Sequence, residues 1–164
     1  MPFTPVTLSD LEVGDIIYAD VKIDSEDMAD TNSKSTTAKK IKKGDPITRL
    51  AVVLVAGTAS VEVTYLATFA RSTTLPSSFA DKSYWYPFTP AGQESIYEPL
   101  PAMTNNEAQW ASLRVTQTIT QDTVGDLAHL VDCFSLIRGT VQVKRIDGAN
   151  IGESADLIRA AMKA

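Results

Sequence analysis

Four lysines lie close together in the first half of the chain, where they could attract the phosphate backbone of a nucleic acid. Lys39, Lys40, Lys42 and Lys43 fall within five residues. Basic side chains at this density can contact several phosphates of one strand. The same pattern is typical of a solvated charged loop, so both interpretations stay open. If RNA is the ligand, we predict these four lysines as RNA-binding residues.

A dense aromatic cluster follows in the middle of the chain. Tyr84, Trp85, Tyr86 and Phe88 fall within five residues. Aromatic rings can stack on the bases of a single-stranded nucleic acid. The alternative is that the rings fill a β core or a dimer interface.

One histidine and one cysteine are spaced as a nucleophile pair could be. His129 and Cys133 are four residues apart and would share one face of a helix. No known nucleophile motif surrounds them, so a buried structural cysteine is the competing interpretation. With one residue of each type, a zinc site of ordinary ligands is disfavoured, and we predict no metal. The chain has no P-loop, dinucleotide fingerprint or nucleophile elbow, and we predict no cofactor.

The composition is that of an ordinary globular protein. At 164 residues, 44% hydrophobic and 21% charged, the chain fits one domain, 1–164, that buries a sizeable core. Its net charge of −5 argues against binding nucleic acid through a wholly basic surface, although a local basic site remains compatible. A lone cysteine cannot form an intrachain disulfide.

The chain shows no targeting or membrane segment. The N-terminus lacks the basic and apolar regions of a signal peptide. The longest apolar runs, such as 50–56, are too short to span a bilayer. We therefore expect a cytoplasmic protein that does not contact membranes.

Three β-strands are predicted in the first 70 residues. Residues 15–22 and 61–69 alternate in polarity, as strands with one buried face do. Residues 48–56 are almost all apolar after Arg49, which predicts a strand buried on both faces. The small polar residues at 57–60 predict a turn that makes the second and third strands antiparallel.

The remaining segments give weaker patterns. Residues 23–47 have no apolar period, and we predict a long mobile loop with an acidic first half and a basic second half. Further on, the pattern predicts three more strands, at 82–88, 110–119 and 140–146, and a terminal helix at 154–163. The pattern of residues 128–136 is ambiguous, and a short helix is one interpretation of it.

Three segments of the first half resemble one known family. Gly14 and Asp15 open a hydrophobic strand over 16–21, a long segment follows, and Arg49 leads into the Val-rich strand 50–55. The third strand ends in 66–68. In this order, the segments resemble the PemK/MazF family of endoribonuclease toxins. The resemblance covers about 70 residues, and Leu50 stands where the family has proline.

The resemblance implies a fold and a chemistry. It implies a mainly β protein with an SH3-like barrel core, here carrying an elaborated C-terminal half and a terminal α-helix. It also implies a homodimer, a possible antitoxin-like protein partner, and metal-independent cleavage of single-stranded RNA. Transferred residue by residue, the catalytic positions are Arg49 and Thr68. A guanidinium suits this role because it stays charged and grips phosphate oxygens in a bidentate fork.

Two other functions fit the sequence. A non-enzymatic binding module could keep the SH3-like barrel and use its groove for protein or nucleic acid, because fold does not fix function. A structural or assembly β protein could use the aromatic, proline-rich middle of the chain for subunit contacts.

Overall fold

A computed structural model describes residues 2–120, 134–137 and 140–163. This part of the chain contains nine strands and two α-helices. The strands are β1 (Phe3–Thr7), β2 (Ile16–Val21), β3 (Ile47–Ala56), β4 (Ser60–Ala67), β5 (Trp85–Phe88), β6 (Gln109–Ser112), β7 (Gln117–Thr120), β8 (Phe134–Ile137) and β9 (Thr140–Ile146). The helices are α1 (Thr36–Lys43) and α2 (Gly152–Ala161).

The strands form one antiparallel sheet. Seven of them follow the order β1-β9-β2-β3-β4-β6-β5, while β7 pairs with β4 and β8 with β9. The tight turn after β3 joins it to β4, with Ala51 opposite Tyr65. The prediction of a mainly β protein with a helix near the C-terminus is therefore confirmed.

Both faces of the sheet are buried at its centre, which follows from the apolar run in β3. Ala51 and Val53 pack into one core cluster, and Val52 and Leu54 into the other. All four are at most 1% exposed. Helix α2 contributes Ala155 and Ile158 to the second cluster. The predicted strand that is buried on both faces is thus confirmed, as are the predicted strands on either side of it.

Residues 36–43 form a helix inside the segment predicted to be a loop. The Ser35 hydroxyl accepts a hydrogen bond from the Ala38 amide at 3.1 Å and caps the start of α1. Gly44 ends the helix in a left-handed conformation, φ 77°. The helix buries Ala38 alone, so no apolar period marks it in the sequence, and the caps were the signal that could have revealed it.

The predicted strand at 110–119 is two strands separated by a bulge. Along β4, Val63 pairs with Gln117 and Leu66 pairs with Ala111. Between these two pairs, the chain advances three residues along β4 but six residues from β6 to β7. The extra residues lie within 113–116, the segment between β6 and β7, which we call the bulge. Polarity alternates on both sides of the bulge, so a period-two pattern does not reveal it.

Other boundaries also differ from the sequence predictions. Strand β1 was not predicted, and residues 82–84 form a 3₁₀ turn before β5. The segment 128–136, for which a short helix was one interpretation, ends in strand β8 at residues 134–136. The rest of that segment, with His129 and Cys133, lies outside the described residues. The strand at 140–146 is confirmed, and the terminal helix begins at Gly152.

The start of helix α2 packs directly against Gly14. The Ile151 backbone amide donates to the Gly14 carbonyl at 2.9 Å. The side-chain Nδ2 of Asn150 donates to the Asp15 carboxylate at 2.9 Å. Gly14 has φ 92°, and a Cβ built there would lie 2.8 Å from the Ile151 carbonyl carbon. The Gly-Asp pair of the sequence therefore has a packing role.

No helix in the described part of the chain is long and apolar enough to cross a membrane.

Candidate functional site

Arg49 lies near the start of β3, which holds its backbone in the middle of the sheet. Its side chain is half-buried, and its Nη1 donates to the carbonyl of the adjacent Thr48 at 2.9 Å. Burial lowers the pKa of Arg49 from its usual value. Within residues 2–120, 134–137 and 140–163, no carboxylate forms an ion pair with this guanidinium. A partly dehydrated cation in this state favours an anion from outside.

Thr68 directly follows β4, and its side chain is exposed. Arg49 and Thr68 both line one cavity of 390 Å³, which we call the Arg49 cavity. The structure therefore brings together the two residues predicted to be catalytic. Their catalytic role stays a prediction.

Apolar side chains form most of the Arg49 cavity. They include two aromatic rings, Phe69 and Trp85, which meet edge to face with centroids 4.9 Å apart. The chain turns sharply there, since Phe69 and the two residues after it all have positive φ. Ile41 of α1 and Gln109 of β6 also line this cavity. A cavity of this kind could accept a flat apolar group with an anion beside it.

The aromatic cluster lies mainly in the core. Trp85, Tyr86 and Phe88 are 2%, 9% and 0% exposed, and they alternate between the two core clusters because they belong to one strand. Tyr84 is partly exposed. The core-filling interpretation therefore holds for three of these rings, although Trp85 also lines the Arg49 cavity.

The four lysines lie on the exposed surface of α1. Lys39, Lys40, Lys42 and Lys43 are exposed, and Lys42 donates to the Ser33 carbonyl at 3.3 Å. Among the described residues that line the Arg49 cavity, α1 contributes Ile41 and none of these lysines. Their predicted contact with RNA would thus lie outside the cavity.

An acidic residue that the sequence analysis did not single out lies beside the cavity. Asp27 ends a 3₁₀ turn in residues 24–35, the segment before α1, which we call the strap. It is 5% exposed, and its Oδ2 accepts a hydrogen bond from the Tyr65 hydroxyl at 2.9 Å. Its Oδ1 accepts another from Arg114 Nε at 2.9 Å. Asp27 lines the Arg49 cavity and also a larger cavity of 560 Å³.

Arg114 reaches Asp27 because it lies in the bulge between β6 and β7. It also pairs with Glu26 at 3.2 Å, and its guanidinium lies over the Tyr84 ring, 4.3 Å from the centroid. Burial on its own would lower the pKa of Arg114, but the hydrogen bond and charge of Asp27, together with the charges of Asp24 and Glu26, outweigh burial and leave the pKa raised. The separation of 87 residues between Arg114 and Asp27 hides this pair from sequence inspection.

The pKa of Tyr65 predicts a loss of stability in alkali. Burial raises this pKa well above its usual value, and the charge of Asp27 and the hydrogen bond to it raise it further. A tyrosine in the unfolded chain titrates at about pH 10, so the contribution of Tyr65 to the free energy of unfolding is complete below that pH. Above it, the contribution falls by about 1.4 kcal/mol per pH unit as the unfolded tyrosine ionises.

As the pH rises from 9.5 to 11, we expect the free energy of unfolding of Tyr65→Phe to fall less than that of the wild type, because the variant lacks the ionising group. At pH 8 the variant should be less stable by about 1 to 2 kcal/mol, since a buried carboxylate oxygen loses its donor. Urea unfolding at a series of pH values measures both effects. Tyr97→Phe, which removes a hydroxyl that donates to the Ser83 carbonyl at 2.7 Å, is the control. Parallel pH curves for Tyr65→Phe and the wild type would contradict the prediction.

Comparison of this chain with protein-family models, curated proteins and solved structures finds no match.

Proposed function

We propose that this chain binds single-stranded RNA, with one nucleotide in the Arg49 cavity and its phosphate on the Arg49 guanidinium. The observation that carries the proposal is that Arg49 and Thr68 line the same cavity. The proposal includes the finer fold assignment, in which β2, β3 and β4 belong to an SH3-like barrel of the PemK/MazF type. It also includes a cytoplasmic homodimer and a protein partner.

Charge and shape both support a nucleotide as the ligand. The half-buried Arg49 guanidinium can form two parallel hydrogen bonds to a phosphate, and the bond to the Thr48 carbonyl leaves other N–H groups available. The apolar wall with Phe69 and Trp85 can accept a base, which presents a flat apolar face. The exposed lysines of α1 can attract the rest of the strand.

The proposal also includes cleavage of the bound RNA. Arg49 could stabilise the charge of a phosphorane-like transition state, and the exposed Thr68 hydroxyl could hydrogen-bond a phosphate oxygen. A general base on the protein must also remove the proton of the 2′-hydroxyl group. Asp27 lines the cavity, but both its oxygens already accept hydrogen bonds. The geometry therefore supports binding more directly than it supports catalysis.

We expect Arg49→Ala to bind a labelled single-stranded RNA oligonucleotide at least about tenfold more weakly than the wild type, because it loses a charge-assisted contact. Fluorescence anisotropy at several salt concentrations measures the affinity. The slope of log K against log [salt], which is negative, should also become shallower by about 0.7, the value for one phosphate contact on a single strand. Incubation of the same RNA with EDTA and wild-type protein tests metal-independent cleavage, which Thr68→Val should reduce.

Arg159→Ala is the matched control for binding. Arg159 is exposed on α2, which packs against the other core cluster from Trp85 and Phe69. The Arg159→Ala variant loses the same charge as Arg49→Ala without altering the Arg49 cavity. Binding that is absent in the wild type, or weakened equally by both variants, would refute the proposal. Binding without cleavage would support the non-enzymatic module.

A further inference from the structure

Asp27 joins three parts of the chain that are far apart in sequence. Its carboxylate accepts from Tyr65 on β4 and from Arg114 in the bulge, each at 2.9 Å. A second ion-pair contact joins Arg114 Nη2 to Asp27 Oδ1 at 2.9 Å. Since β4 belongs to the sheet and the bulge joins two of its strands, β6 and β7, these contacts attach the strap to the sheet. A buried carboxylate with this many donors is held in one position.

The strap forms part of the wall of each cavity beside it. Asp27 and Met28 line the Arg49 cavity, and residues 26–32 line the cavity of 560 Å³. Beyond Asp27, the strap is attached where the Ser78 hydroxyl donates to the Ala29 carbonyl at 2.8 Å, and where Glu26 pairs with Arg114 at 3.2 Å. The Glu26 side chain is 74% exposed, so solvent weakens that second contact. Most other hydrogen bonds of the strap are internal, such as that from the Asn32 amide to Asp30 Oδ1 at 2.9 Å. The position of this wall therefore depends strongly on the Asp27 carboxylate.

We propose that Asp27 is a positioning residue for RNA binding. Through Tyr65 and Arg114 it holds the strap, and with it Met28, as a preformed wall of the Arg49 cavity. This inference rests on the proposed function of that cavity. RNA binding then depends on Asp27 through the wall that it positions, because a wall that must be ordered during binding lowers the affinity. The negative charge of Asp27 would by itself repel RNA, so positioning and charge predict opposite effects.

The test compares two substitutions that remove the same charge from the strap. We expect Asp27→Asn to weaken RNA binding at least tenfold while the slope of log K against log [salt] stays at the wild-type value, because no phosphate contact is lost. Asp30 is exposed and bonds within the strap, so Asp30→Asn should bind RNA as well as the wild type or better. Circular dichroism shows whether both variants are folded.

A second variant and a second measurement keep the inference testable if Asp27→Asn does not fold. Tyr65→Phe removes the hydrogen bond from β4 to Asp27 but keeps the two contacts from Arg114, so it should weaken binding in the same direction by a smaller factor. Limited trypsin digestion should cleave the strap after Lys34 faster in Tyr65→Phe and Asp27→Asn than in the wild type. Unchanged affinity in Tyr65→Phe, or equal cleavage rates, would overturn the positioning role.

The outcomes separate this inference from the proposed function. If Arg49→Ala weakens binding while Asp27→Asn and Asp30→Asn behave alike, Asp27 does not position the site and RNA binding stands. If the wild type binds no RNA, or Arg49→Ala binds like the wild type, the proposed function and the inference both fail.

Discussion

Arg114→Ala is expected to lower the free energy of unfolding by about 3 kcal/mol or more, because it leaves a buried carboxylate without its cation. The Asp27 side chain is 2% exposed and that of Arg114 20% exposed, so solvent screens the pair weakly. The variant also removes the guanidinium from the Tyr84 ring, which adds a smaller loss. Urea unfolding at pH 7 measures the change.

Arg71→Ala provides the comparison for an exposed ion pair. Arg71 pairs with Glu107 at 3.2 Å, but its side chain is 74% exposed. Its loss should be small, because solvent already screens the exposed pair. Similar losses in Arg71→Ala and Arg114→Ala would show that burial of Asp27 does not set the strength of its pair.

Gly14→Ala is expected to destabilise the protein by about 3 kcal/mol, from two causes that act together. The backbone at φ 92° disfavours any side chain, and the added methyl group would meet the backbone of Ile151 and Gly152 at the start of α2. For a chain of this length, the melting temperature should fall by roughly 10 °C. Thermal unfolding followed by circular dichroism measures it.

Gly44→Ala isolates the backbone cause from the steric one. Gly44 also has a positive φ, 77°, but no described atom lies within 4 Å of a Cβ built there. We expect this variant to lose only about 1 kcal/mol. If both glycine variants lose the same stability, the close packing of Gly14 on α2 makes no separate contribution.

The strands around Arg49 could be predicted from the sequence because each carries its own local signal. The apolar run of β3 and the alternation in β2 and β4 are typical of a sheet buried on one or both faces. Strand β1 lacks this pattern, since its residues 3–5 are exposed and its place depends on pairing with β9. Helix α1 depends on its caps, because it buries one small residue.

The candidate site was predictable only in part. Arg49 and Thr68 were found through a family resemblance, and their shared cavity follows from the antiparallel arrangement of β3 and β4. Asp27 and Arg114 could not be found in this way. A single acidic residue in a polar segment is indistinguishable from its solvated neighbours until the fold brings Tyr65 and Arg114 to it.

The pairing of β1 with β9 affects how the protein can acquire its structure during synthesis. Phe3 lies opposite Ile146, and β9 also pairs with β2 at Ile17. On the ribosome, β2, β3 and β4 can assemble as soon as they emerge, because they are neighbours in sequence. Strand β1 must remain without its partner until residue 146 has left the exit tunnel. The nascent chain therefore exposes an unpaired sheet edge at β2 until β9 has been synthesised, and such edges are sites where chains aggregate.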